Sequence, residues 1–327
     1  MSLARPPQKM GAGPVSIVGR FLLTLVVVAI LGILGWAIVV SGSIDDNENL
    51  DRNLVAPGSI IAIPGRTDVH IRTAGSGDPV LLIHDFDLAG GYQWSAMQEP
   101  LAGHRLLMPD LVDFGFSARP GQTGRLHTVV GQAETMLALL DELGIRNVSV
   151  VGAGLGGSIA AQMAALAPDV VDRLVLIAPE IYGPEPTWES TLYRLPTVGD
   201  AMTYTFIGAG AQAETRYVAG CPTGGYCPSA ETRATRASAA KVSGTTDSLT
   251  ALFNTPLAST LPDGLSAIEA PTLILWGDGD TVTPLNQGEQ LAVAVAGSEL
   301  LVVPGAGHRP HLEDPETTAG FIAQFLG

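Results

Sequence analysis

The stretch VVGAGLGG, residues 150–157, sets Gly152, Gly154 and Gly157 in a G-x-G-x-x-G pattern between two apolar runs. Two chemistries use such a turn. In a dinucleotide site the glycines let the backbone approach a pyrophosphate at a helix N-terminus, and an acid about 20 residues on takes the ribose hydroxyls. Glu180, 23 residues after Gly157, stands near that place. In a strand-to-helix elbow the same turn lifts a nucleophilic side chain above the ends of a sheet. The middle residue of such an elbow would be Gly154, which has no side chain to lift. A dinucleotide fingerprint usually opens its domain, whereas four strand-like runs precede this one.

Either turn needs a sheet to hold it. SIIAIPG and DVHIRTAG, joined at Pro-Gly, read as an antiparallel hairpin. PVLLIH (79–84), HRLLMPD (104–110), NVSVVG, RLVLIAP (173–179), PTLILWG (271–277) and SELLVVPG (298–305) are short apolar runs of the kind buried in parallel sheets. Between them HTVVGQAETMLALLDELGI has helical spacing, with Val130, Leu137, Leu140 and Leu143 toward one face. SIAAQMAALA and the closing ETTAGFIAQFLG also read as helices. This alternation predicts an α/β protein with a doubly wound, mostly parallel sheet. Residues 183 to about 262 break it, and read as an inserted set of helices and loops over the strand ends.

Five segments, in order, resemble the α/β-hydrolase family: GSGDPVLLIHDF, MPDLVDFGFSARP, the glycine turn, PTLILWGDGDTVTP and VPGAGHRPHLEDPE. The resemblance spans about 58–327 and implies that fold, with helices on both faces of the sheet and residues 183–262 as its lid. It implies that Asp280 is the catalytic acid, His308 the catalytic histidine and Gly154, flanked by Gly152 and Gly156, the nucleophile position. Backbone N–H groups of Phe86 and Leu155 map to the oxyanion hole, and His84-Asp85 stands where the family has His-Gly. The activity implied is hydrolysis of ester-like or small apolar substrates, without a cofactor.

The residues themselves pull away from that activity. A nucleophile at the elbow holds a strained backbone costing on the order of 1–3 kcal/mol; Gly154 relieves the strain and removes the attacking atom. Asp85 opposes an oxyanion if its carboxylate turns inward and is harmless if it turns to solvent. The Asp280–His308 pair reads either as a general base or as a leftover bond tying the last loop to the sheet. Glu180 is either a second carboxylate over the site or a solvated loop acid. Ser158 and Ser117 lack the geometry of a substitute nucleophile. His311 and Glu313 are expected to hold their loop and cap the final helix, and His70, His104 and His127 show no metal-like spacing, so no metal is expected. Three functions remain open: a pseudoenzyme that binds a ligand or partner under the lid, a non-covalent hydrolase or lyase using His308 and Asp280, and dinucleotide binding at Gly152–Gly157.

Composition bounds the setting. A net charge of −15 over 327 residues disfavours a nucleic-acid partner. Phe21 to Val40 carries no charge, and twenty helical residues span about 30 Å, the thickness of a bilayer core. Arg5, Lys9 and Arg20 precede it, and Asp45, Asp46, Glu48 and Asp51 follow it. The expected arrangement is a cytoplasmic tail at 1–20, a single-pass signal-anchor at 21–41, a polar linker at 42–57 and an extracytoplasmic domain at 58–327; a cleaved signal peptide is the alternative. In that setting Cys221 and Cys227, the only cysteines, are expected to close a disulfide loop.

Overall fold

The structure, a computed structural model, describes residues 17–55, 57–121, 124–182, 191–209, 228–255 and 261–327. The apolar runs form eight strands: β1 (Ser59–Ala62), β2 (Asp68–Ala74), β3 (Pro79–Ile83), β4 (Arg105–Pro109), β5 (Val148–Ala153), β6 (Val171–Ile177), β7 (Thr272–Gly277) and β8 (Glu299–Val303). They join in one sheet of order β1-β2-β4-β3-β5-β6-β7-β8. β1, β2 and β4 pair antiparallel, and every later pairing is parallel. The expected hairpin is therefore β1–β2, and its β2 lies against β4.

The central strands are buried on both faces, which is why they read as unbroken apolar runs. Leu81, Ile83, Val150, Leu174 and Ile274 enter one core, and Val80, Leu82, Val151, Val175 and Leu275 enter the other, following the two-residue period of a strand. The first core is covered by α2 (Val129–Glu142) and α3 (Leu155–Leu166). The second is covered by Trp94, Met97 and the C-terminal helix, Pro315–Leu326. Each fully buried Leu or Ile contributes about 1.5–3 kcal/mol.

The face of α2 departs from expectation. Val129, Ala133, Met136 and Leu140 are buried, while Val130, Leu137 and Leu143 are only partly so. Its buried arc also takes in Gln132, because that amide accepts from the Val112 N–H (3.2 Å) and donates to the Val112 carbonyl (3.0 Å). A hydropathy pattern has no sign of this bond.

The apolar N-terminal stretch is α1 (Ile17–Asn47), and its segment Gly19–Asn47 is long and apolar enough to cross a membrane. The linker expected at 42–57 is not free chain. α1 runs through its first residues, Glu48 is buried, and Leu50 exchanges backbone bonds with Lys241 and Ser243. Of the inserted region, α4 (Val198–Thr203), α5 (Ala230–Ala239) and α6 (Thr245–Asn254) are described. Ala37 of α1 packs with Val198 and Ala201 of α4. The Glu48 carboxylate accepts from the Thr246 N–H at the start of α6 (3.0 Å), where the N-cap residue Gly244 has no side chain to do so. Cys221 and Cys227 lie outside the described residues, as does much of the lid.

Candidate active site

The sheet order reverses at β3: β4 lies on one side of it and β5 on the other. In open α/β sheets that reversal leaves a crevice beyond the carboxyl ends of the two strands. His84, Asp85 and Phe86 leave β3 there, and Gly154 leaves β5. Glu180 follows β6, Asp280 follows β7 and His308 follows β8, so Asp85, Gly154, Glu180, Asp280 and His308 all lie beyond the carboxyl ends of strands.

Gly154 has φ 51° and ψ −119°, a backbone that L side chains rarely adopt. Its neighbours are glycines because the chains touch. A Cβ on Gly152 would stand 2.3 Å from the Gly156 carbonyl, and one on Gly156 2.3 Å from the Ile83 carbonyl. A Cβ on Gly154 would stand 2.1 Å from Asp85 Oδ1. The Asp85 carboxylate therefore occupies the volume that a nucleophile's side chain would fill.

Asp85 turns inward, which settles the choice left open by its sequence. Its Oδ1 accepts from the Leu155 N–H (3.1 Å), and the Phe86 N–H, next along the chain, helps to lower the pKa of the same carboxylate. These are the two donors expected to form the oxyanion hole. Oδ2 accepts from Arg309 Nε (2.9 Å), while Arg309 Nη2 donates to the Phe86 carbonyl (3.1 Å). Burial pushes the Asp85 carboxyl up, but Arg309, His308 and the two N–H groups together hold it below its ordinary value. A buried carboxylate needs such partners, since an unpaired one costs several kcal/mol. Arg309 was not foreseen from the sequence; its signal is adjacency to His308 together with an acid at position 85.

His84 shapes the loop and does not face the site. It is fully buried, its Nε2 accepts from the Leu111 N–H (2.9 Å), and Nδ1 therefore donates to the Asp85 carbonyl (2.6 Å). Burial lowers its pKa, consistent with that neutral form. The Asp85 N–H donates to Gln93 Oε1 (2.8 Å), fixing the turn from the other side.

Asp280 and His308 meet as expected. His308 Nδ1 lies 2.9 Å from Asp280 Oδ2, and Asp280 is held by the Val282 and Thr283 N–H groups (2.8 and 2.9 Å) and by the Thr283 hydroxyl (2.7 Å). Nε2 of His308 faces two carboxylates, Asp85 Oδ2 and Glu180 Oε1, each at 3.9 Å. Burial lowers the His308 pKa, but the Asp280 bond and the charges of Asp85, Asp280 and Glu180 raise it further than burial lowers it. Glu180 is a carboxylate over the site, pushed up to about 7 by burial and by repulsion from Asp85.

The remaining candidates are structural. Ser158 is buried in α3, and Ser117 accepts from the His70 N–H (2.9 Å) while donating to the Asp110 carbonyl (2.6 Å). His70 and His127 pair with Asp110 and Asp113 (2.7 and 2.6 Å). Glu313 holds its loop through the Gly307 and Arg309 N–H groups (2.6 and 3.0 Å), but the final helix is capped by Asp314, which accepts from the Thr317 N–H (3.1 Å). Asp314 precedes a proline at the first helical position, and a cap must stand there. His311 is buried against the Trp94 ring, centroids 4.8 Å apart.

A sheet with this reversal, an elbow after β5 and an acid–histidine pair after β7 and β8 define the α/β-hydrolase architecture. The alpha/beta hydrolase fold family model matches residues 78–315, and the chain belongs to that family. A 2-hydroxymuconate semialdehyde hydrolase of Pseudomonas putida is 29% identical over 285 residues, covering 82% of this chain and 92% of the relative. A thermophilic esterase from Thermogutta terrifontis is 26% identical with a TM-score of 0.64, covering 83% of this chain and 98% of its own. A membrane phospholipase A, described as a bacterial virulence factor, shares the fold at a TM-score of 0.62 and 24% identity, covering 94% of this chain and 97% of its own.

Proposed function

We propose that this protein is a membrane-anchored family member that has lost acyl-serine turnover and uses the capped site to bind a small apolar or ester-like ligand. One observation carries the reading: the Asp85 carboxylate fills the nucleophile's place and takes the Leu155 N–H of the oxyanion hole. A developing oxyanion would meet a fixed negative charge where catalysis needs donors. The apolar character of the ligand rests on the aromatic cluster that begins at Phe86, where Phe86 meets Phe114 edge-on and Phe253 at a tilt, and Phe253 meets Tyr193. Anchoring rests on α1, with the charge asymmetry around it keeping the N-terminus cytoplasmic and the globular domain extracytoplasmic.

Serine-directed fluorophosphonates and p-nitrophenyl esters test it. Wild type is expected to give no adduct and no turnover. Gly154→Ser alone stays silent, because the new Cβ meets Asp85 Oδ1; the pair Gly154→Ser with Asp85→Gly gains labelling. A covalent adduct on the unmodified protein overturns the reading. The dinucleotide alternative draws no support from this geometry, since the N-terminus of α3 is already occupied by the chain's own carboxylate.

A second reading, non-covalent hydrolysis or lyase chemistry, is favoured by His308. Asp280 fixes its tautomer and leaves Nε2 without a hydrogen-bond partner among the described residues. It requires turnover that His308→Ala abolishes and that leaves no adduct.

A further inference from the structure

We propose that Asp85, Glu180 and His308 form a binding site for a divalent transition-metal cation of the zinc type. Asp85 Oδ2 and Glu180 Oε1 each lie 3.9 Å from His308 Nε2, and the three ligand atoms are all within 4.8 Å of one another. Zinc–ligand bonds of about 2.0–2.2 Å place tetrahedral ligands about 3.4 Å apart. Inward movement of roughly half an ångström to an ångström therefore closes the site around an ion. The three residues leave β3, β6 and β8, so rigid strands aim them at one point.

One observation besides the two ligand carboxylates points to a cation, and it is the imidazole. His308 gives Nδ1 to Asp280, whose position is fixed by two backbone N–H groups and the Thr283 hydroxyl. This is the outer-shell arrangement that fixes a metal-binding histidine with its other nitrogen bare. Arg309 does not block the site, since a carboxylate oxygen has two lone pairs and can serve a guanidinium and a metal together. The ligand set of one histidine and two carboxylates leaves a coordination position for water, which a zinc ion converts into a nucleophile near neutral pH.

The inference goes beyond ligand binding and is read without any activity, so its failure leaves that reading untouched. The full chain in detergent, stripped with chelator, is titrated with Zn²⁺ by calorimetry, and with Co²⁺ by visible absorption. The expected result is one equivalent per chain, weakened at least about tenfold by Glu180→Gln and by His308→Gln. A cobalt spectrum with nitrogen ligation should disappear in His308→Gln. Glu180→Gln is nearly isosteric and partly exposed, so its metal-free melting temperature should match wild type, which separates lost ligation from lost folding. No saturable binding, or binding that both variants leave unchanged, overturns the proposal.

Discussion

Gly154 and Asp85 have to be read as a pair, because each makes sense only beside the other. Glycine at 154 leaves a space and Asp85 fills it, within 2.1 Å of where a Cβ would stand. Gly154→Ala should therefore destabilise by about 2 kcal/mol or more, combining backbone strain with overlap. In an Asp85→Gly background only the strain remains, so urea unfolding should return a coupling of about 1–3 kcal/mol. A second residue-scale prediction concerns His311, whose pKa burial pulls down to about 3 from 6.5. Between those values the unfolded chain holds the extra proton, so stability rises with pH. The contribution is complete above about 6.5 and is lost progressively as acid is added. From pH 6.5 to 5 its slope is up to about 1.4 kcal/mol per pH unit, and His311→Gln should flatten the measured profile by that amount. Asp280 and His308 were legible because each sits in a local strand-and-loop signature. Arg309 was not, because its role exists only once Asp85 turns inward, and that turn depends on an atom missing at position 154.

The strands were the most legible elements, since two-sided burial writes itself as a short apolar run. Helices read less well: α2 kept its existence but not its face, because Gln132 is drawn inward by the backbone N–H and carbonyl of Val112. Residues 42–57 were misread for a related reason. Their acidic composition looks solvated, yet Glu48 finds Thr246, a partner 198 residues away, and local sequence cannot report that. Glu48 thereby caps α6 in place of a side chain at Gly244. Glu48→Ala is expected to weaken α6 by about 1 kcal/mol. Hydrogen exchange should show faster amides at Thr246–Leu249, with those of β5 and β6 unchanged.

For the whole molecule, the end of α1 is bound to the inserted region through Ala37, Glu48 and Leu50, so the apolar helix and the described part of that region form one packed unit. Deleting residues 1–35 should leave that unit intact, whereas deleting 1–51 should lower the melting temperature and expose the cap to protease. A phosphatase reporter fused after Gly327 should be active if the domain is extracytoplasmic as proposed, and inactivity would overturn that topology. The Asp85–Gly154 contact also has a historical consequence. A serine brought to position 154 by one codon change would arrive in an occupied space. Removing the aspartate first would take from Arg309 its Nε acceptor. Neither change alone gives a serine with room to act, so the two positions are tied and can be exchanged only together.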